Sequence, residues 1–251
     1  MATNVIAILP ARFASTRLPS KPLADLGGEP LIVRVCQNVK AADVFERIVV
    51  ACDHREIITA VRNAGFEAVF TGPSIPSGTD RVAAAAEELN LPTHARIVNV
   101  QGDEPFISKA CLQAVANRLE IGADAIVTAI ERTDNDAVLL DRNAVKVAVG
   151  ANERALYFSR SPIPHVRDVE EESEMGWHFR HIGIYGYTME TLTRITQLPE
   201  HQLERMEKLE QLRWLAHGET IICPCVEPSP RGVDTPEDLE AANKFYAERN
   251  A

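Results

Sequence analysis

The chain has 251 residues, 45% hydrophobic and 25% charged, which is long enough for one large α/β domain with a substantial core. A formal charge of −10 excludes the broad basic surfaces that nucleic acid or acidic membranes select. No apolar run reaches the length of a membrane span, and Met1-Ala2-Thr3-Asn4 carries no leader pattern, so the expected location is cytoplasmic.

Asn4 to Leu9 is a short apolar run rich in β-branched residues, which predicts a buried strand. At Pro10 it turns into a loop carrying Arg12, Arg17 and Lys21 between prolines. Such a loop suits phosphate, because Arg offers a planar fork and Lys a point charge; the plainer reading is a solvated basic loop beside a sheet. Leu31, Val35 and Val39 then fall at helical spacing within Pro30 to Ala42, and Arg47 to Cys52 reads as a second buried strand. Asp53 and His54 open a helix through Ile57, Ile58 and Val61 that Gly65 stops, and Glu67 to Phe70 is a third strand. Strand–helix alternation implies a mostly parallel sheet covered on both faces, with ligands at the carboxyl ends of its strands. Neither Gly-x-Gly-x-x-Gly nor Gly-x-x-x-x-Gly-Lys-Ser/Thr occurs, which disfavours a dehydrogenase or a P-loop kinase.

The loop Thr71 to Arg81 opens an Ala-rich helix running to about Asn90. Ser77 or Thr79 serves there as cap or ligand contact; a plain cap explains Thr79 with Asp80 but leaves the long lead-in unused. Arg96 to Val100 is the next strand, ending in Gln101-Gly102-Asp103-Glu104-Pro105. Asp103 is a candidate Mg2+ ligand, whereas Glu104 suits a cap for the helix through Ala110, Leu112 and Val115; composition does not decide between metal ligation and capping. Ala125 to Ile130 and Val145 to Val149 are further strands, and Pro162 and Pro164 stiffen an irregular connection. The acidic run from Asp168 to Glu174 reads as a solvated loop.

His181 to Tyr187 alternates small and large residues as a strand does, and a lone His or Tyr there is normally just packed. Leu203 to Leu215 reads as one helix, with Leu203, Met206, Leu209, Leu212 and Leu215 on its apolar face and Glu207, Glu210 and Gln211 on a solvated one. Glu219 to Cys223 is a late strand. Cys36, Cys52, Cys111, Cys223 and Cys225 lack zinc-site spacing and are expected to be reduced, mostly structural thiols. Near the end, Thr235 as N-cap, Pro236 at the first helical position and the acids behind it form a helix start. The capping does not require Asp234, which leaves a second acid free to approach Asp103.

Seven separated segments together resemble the CMP-Kdo synthetases, the 3-deoxy-D-manno-octulosonate cytidylyltransferases of bacterial lipopolysaccharide synthesis. They begin at Pro10, Ser77, Val98, Tyr157, His181, Leu209 and Gly232, and the resemblance runs over nearly the whole chain. Phe13 stands where that family commonly has Tyr, and Ser20 where it commonly has Gly. The resemblance implies one nucleotidyltransferase domain over 1–251 with a Rossmann-like nucleotide-diphospho-sugar transferase fold, in which about 150–190 builds a smaller dimerisation and sugar-binding part. It implies CTP and Kdo as substrates, CMP-Kdo and pyrophosphate as products, Mg2+ as cofactor, and a homodimer.

By the same resemblance Arg12, Lys21, Asp103 and Asp234 are the expected catalytic residues, with Asp103 and Asp234 on the metal. Pro10, Ala11, Ser15, Ser77, Gly78, Thr79, Arg81 and Gln101 join Arg12, Lys21 and Asp103 around the nucleotide. Arg17, Arg160, His181, Tyr185, Glu210 and Gln211 are expected around the sugar. The nearest alternatives are a cytidylyltransferase for another acidic keto-sugar, such as an amino-Kdo or a sialic acid, and a catalytically silent nucleotide-sugar sensor on the same fold.

Overall fold

The computed structural model describes residues 5–121, 125–167, 178–228, 230 and 232–249. The β-branched opening run forms β1 (Val5–Ala11), followed by α1 (Leu31–Ala41), β2 (Arg47–Cys52), α2 (Arg55–Asn63) and β3 (Glu67–Phe70). The alternation continues through α3 (Gly78–Glu88), β4 (Arg96–Asn99), α4 (Lys109–Ile121), β5 (Ile126–Thr133) and α5 (Asp136–Leu140). A hairpin of β6 (Lys146–Val149) and β7 (Ala155–Ser159) leads to the long β8 (His178–Thr188). The remaining elements are α6 (Met189–Thr196), α7 (Gln202–Glu207), α8 (Gln211–Ala216), β9 (Ile221–Ile222), β10 (Cys225–Val226) and α9 (Pro236–Arg249).

Among the described residues ten strands form one sheet whose main path runs β9-β5-β8-β4-β1-β2-β3, and Asp25–Leu26 pairs antiparallel with Glu29–Pro30 in a separate hairpin. β1 lies between β2 and β4 and is parallel to both, and β3 is parallel to β2. The carboxyl ends of β1, β2 and β4 therefore open on one side of the molecule. β8 is antiparallel to both β4 and β5, with a register shift between Ile182 and Tyr185, so the mostly parallel sheet contains one reversed central strand. The stretch about 150–190 is divided: β7 pairs with β6 on a branch off the main path of the sheet, whereas Tyr185 to Thr188 pair with β4 on that path.

Both faces of β1 are buried. Ala7 and Leu9 pack with Ile32, Val35, Cys111 and Val115 from α1 and α4, while Ile8 packs with Val82, Ala86 and Leu192 on the other side. This is the period of two expected of a strand with helices above and below. A smaller cluster of Leu18, Leu26, Leu31, Phe106, Val233 and Ala242 joins the loop after β1 to the chain's last helix. Gly27, at φ 60, lets that helix dock, since a Cβ there would fall 2.3 Å from the Tyr246 ring.

The single helix expected from Leu203 to Leu215 is broken. Lys208 adopts a left-handed φ of 54° between α7 and α8, so the apolar positions no longer share one stripe. Met206 is 79% exposed, and Gln211, expected on a solvated face, is 4% exposed. Glu207 turns inward to accept from Ser159 Oγ at 2.6 Å and the Arg160 N–H at 2.9 Å. The acidic run Asp168 to Glu174 lies outside the described residues.

Candidate active site

The basic loop leaves β1 at Pro10 and Ala11 and is held by buried Leu18 and a short 3-10 turn, Lys21–Leu23. Ser20, just before that turn, has φ 52, a conformation natural to glycine. Beside it β4 exits through Gly102, where a Cβ would sit 2.7 Å from the Pro10 carbonyl oxygen. The two strand ends can approach this closely only because residue 102 has no side chain.

Asp234 is brought in through the main chain. The Val233 N–H donates to the Asp103 carbonyl at 2.8 Å. At Gly232 a Cβ would lie 2.8 Å from Glu104 Oε1 and 2.9 Å from the Asp103 carbonyl oxygen, so this approach also depends on glycine. The two carboxylates then meet at one ammonium: Lys21 Nζ donates to Asp103 Oδ2 and, at 2.9 Å, to Asp234 Oδ1. Arg17 Nη2 donates to the same Asp234 oxygen at 3.0 Å. Burial disfavours the charged Lys21, but Asp103 and Asp234 outweigh it, and the Lys21 pKa is raised.

Two cavities adjoin here. The first, about 330 Å³, is lined by Pro10, Ala11, Arg12, Ser15, Lys21, Gly78 and Gln101, among others. The second, about 370 Å³, has Asp141, Asn143, Ala144 and Val145 on one wall and Arg180, His181 and Gly183 from β8 on another. Arg17, Asp103 and Asp234 line both, forming the partition between them.

Charge in the second cavity is tuned by burial. Desolvation, assisted by Arg180, pushes the His181 pKa down to about 3, so its imidazole is neutral; its Nε2 hydrogen-bonds Thr128 Oγ1 at 2.8 Å. Desolvation, reinforced by the Asp103 charge, pushes the Glu104 carboxyl up to about 8. Arg180 Nε donates to Glu131 Oε1 at 2.6 Å.

The residues expected around the nucleotide divide into two groups. Pro10, Ala11, Arg12, Ser15, Lys21, Gly78, Gln101 and Asp103 line the first cavity, whereas Ser77, Thr79 and Arg81 brace its rim. Ser77, rather than Thr79, caps α3, accepting from the Asp80 N–H at 3.0 Å. Thr79 Oγ1 donates to Glu210 at 2.7 Å. Arg81, fully buried, donates through Nη1 to Thr71 Oγ1 at 2.8 Å and the Gly72 carbonyl at 2.9 Å.

Of the residues expected around the sugar, Arg17 and His181 reach the second cavity. Tyr185, Arg160, Glu210 and Gln211 line neither of these two cavities. Tyr185 packs edge-on against Trp214, and the break at Lys208 turns Glu210 toward Thr79. The Arg160 guanidinium donates to three main-chain carbonyls, those of Glu207 at 2.7 Å, Arg142 at 2.8 Å and Lys208 at 3.3 Å. It therefore ties the loop along the second cavity to the break between α7 and α8.

Among the described residues no group of three or more His, Cys, Asp or Glu is placed to hold a metal. Asp103 and Asp234, converging beside a cavity lined by Arg12 and Lys21, still fit Mg2+, which is commonly held by one or two carboxylates with substrate oxygens and water completing its shell. Sequence reasoning missed Asp53, Gly102, Arg180 and Gly232 as determinants of the site. Asp53 did carry a signal, standing at the carboxyl end of a parallel strand; Arg180 carried none.

A family model described as cytidylyltransferase matches residues 6–221. The 3-deoxy-manno-octulosonate cytidylyltransferase of Polynucleobacter necessarius is 42% identical over 248 residues, covering 98% of this chain and 97% of that one. The protein of the same name from Phocaeicola vulgatus is 44% identical over 249 residues, covering 97% and 98%. A solved CMP:2-keto-3-deoxy-manno-octonic acid synthetase, complexed with CTP, is similar with a TM-score of 0.90 and 33% identity over 98% of this chain and 99% of that one.

Proposed function

This chain belongs to the cytidylyltransferase family, and from that premise we propose that it transfers CMP from CTP to Kdo, releasing pyrophosphate, for lipopolysaccharide synthesis. The observation that carries this reading is the partition of Arg17, Asp103 and Asp234 between two cavities of similar volume, one lined also by Arg12 and Lys21, the other by Arg180 and His181.

In this reading Arg12 and Lys21 hold the triphosphate in the first cavity, and Gln101 and Gly78 shape its floor. Kdo enters the second cavity with its carboxylate toward Arg17 or Arg180, while neutral His181 offers hydrogen bonding without adding charge. The anomeric oxygen attacks the α-phosphorus in line, forming the new O–P bond as the bond to the pyrophosphate oxygen breaks, and the hydroxyl proton is lost to water. Two anions must approach each other, so positioning and charge neutralisation carry most of the catalysis. Asp103 and Asp234 would hold Mg2+, which when bound neutralises phosphate charge and lowers the pKa of the attacking hydroxyl. Lys21 orders the two carboxylates for that role. No side chain acts as a covalent nucleophile.

The family resemblance also supports a cytoplasmic homodimer in which about 150–190 forms part of the subunit contact. Pyrophosphate release tests the reaction: CTP with Kdo and Mg2+ gives turnover, whereas ATP, GTP or UTP, or EDTA in place of Mg2+, does not. Equal turnover with a sialic acid, or none with Kdo, refutes the assignment. Sedimentation velocity tests the dimer.

A further inference from the structure

We propose that Asp53, which lines neither cavity, is a positioning residue that locks the two walls of the nucleotide cavity together and thereby sets the affinity for CTP. This rests on the reading of that cavity as the CTP site.

Asp53 follows β2 at its carboxyl end, and its side chain is 8% exposed. Its two oxygens face different parts of the site. Oδ1 accepts from the Phe13 N–H at 2.8 Å, in the loop that carries Arg12 and Arg17. Oδ2 lies 3.3 Å from Nη2 of Arg81, in the first turns of α3. The other arm of Arg81 holds Thr71 and Gly72, the start of the lead-in to that helix. Arg12, adjacent to Phe13, closes the circuit by donating to the Pro76 carbonyl at the other end of the same lead-in. Stacking of the Phe13 ring on His54, with centroids 3.8 Å apart, fixes the loop from the Asp53 side as well.

A single buried carboxylate thus joins the loop that presents cations to the helix start that closes the cavity. Each wall has its own anchors, but the Asp53 carboxylate joins one to the other; holding Arg12 in one place costs conformational entropy that CTP would otherwise have to supply on binding. A merely stabilising ion pair would lower the melting temperature and leave the affinity of the folded protein intact. A positioning residue changes CTP binding selectively.

The test compares wild type, Asp53→Asn and the double variant Asp53→Asn/Arg81→Gln, in which no buried guanidinium is left facing a neutral partner. CTP dissociation constants are measured by calorimetry with Mg2+ and without Kdo, and KM for Kdo is measured at saturating CTP. The expected result is CTP binding at least about tenfold weaker in both variants, the scale of a lost charged hydrogen bond, with KM for Kdo unchanged within about twofold. CTP binding within about twofold of wild type, or equal losses for CTP and Kdo, overturns the proposal. If neither variant folds, hydrogen exchange in the wild type decides: a Phe13 amide protected like β1 supports the proposal, and an unprotected one overturns it. A wild type that binds CTP but does not turn over Kdo refutes the proposed reaction and leaves this inference to the calorimetry. A wild type that does not bind CTP overturns both.

Discussion

Replacing Gly232 by alanine tests how the two acidic residues are brought together. The added Cβ would meet Glu104 Oε1 at 2.8 Å and the Asp103 carbonyl oxygen at 2.9 Å. The first is the tip of a side chain and can yield. The second is main chain at the exit of β4, so the loop has to withdraw; ordinary contact begins at 3.4 Å, a retreat of about 0.5 Å. That movement stretches the 2.8 Å bond from the Val233 N–H to Asp103 and carries Asp234 away from its partner. Overpacking of this kind costs about 1–3 kcal/mol, or a Tm lower by about 2–12 °C. A misplacement of 1 Å can cost about 10²-fold in rate, which puts half that displacement at about tenfold in kcat. Pyrophosphate release at saturating CTP, Kdo and Mg2+, with a thermal melt in parallel, measures both. A variant that melts lower but retains kcat within about twofold would refute the claim that this main-chain contact sets the aspartate pair.

Lys21→Met keeps the aliphatic stem and leaves Asp103 and Asp234 to repel each other; kcat/KM for CTP should fall by about 10²–10³, and a loss smaller than tenfold would contradict the role given to the ammonium. His181 is held neutral with a pKa near 3 against an ordinary 6.5, so the unfolded chain binds the extra proton between those values. Its contribution to stability is therefore complete above pH 6.5 and is lost as pH falls, by about 2 kcal/mol at pH 5. Denaturant melts of His181→Gln should show a correspondingly smaller loss between pH 7 and pH 5 than wild type, and parallel losses would count against the buried neutral ring. Arg160→Ala releases three carbonyls on the far side of the second cavity. It should raise KM for Kdo more than fivefold with KM for CTP unchanged, and steady-state kinetics showing the opposite pattern would remove the brace from the argument. Ser20→Gly relieves a left-handed φ of 52° and should raise Tm by about 2–4 °C, the equivalent of about 1 kcal/mol, which a thermal melt checks directly.

The sheet and the first cavity were legible because their signals are local. Apolar β-branched runs marked β1, β2 and β4, and the acids and cations that follow those strands mark where a parallel sheet binds its ligands. Asp234 was legible as an acid left over once Thr235 and Pro236 had accounted for the helix start. Its contact with Lys21 and Asp103 was not, because that contact depends on a missing Cβ at Gly232, and sequence periodicity does not register close approach. The helix break at Lys208 was hidden for a related reason. Its apolar positions satisfy helical spacing, and only tertiary contacts from Ser159, Arg160 and Thr79 make the turned geometry favourable. Arg81 illustrates the limit for charged residues: the resemblance places it at the nucleotide, and the sequence gives no sign that its guanidinium also holds Thr71 and Gly72.

The partition formed by Arg17, Asp103 and Asp234 constrains how this enzyme can change. Each cavity uses the same three side chains as a wall; with the sugar and the triphosphate assigned as proposed, a substitution there that widens room for a different sugar also disturbs phosphate binding. Independent freedom lies on the opposite wall, at Asp141, Asn143, Ala144 and Val145, which line the second cavity and not the first. Redesign toward bulkier acidic sugars should begin on that wall.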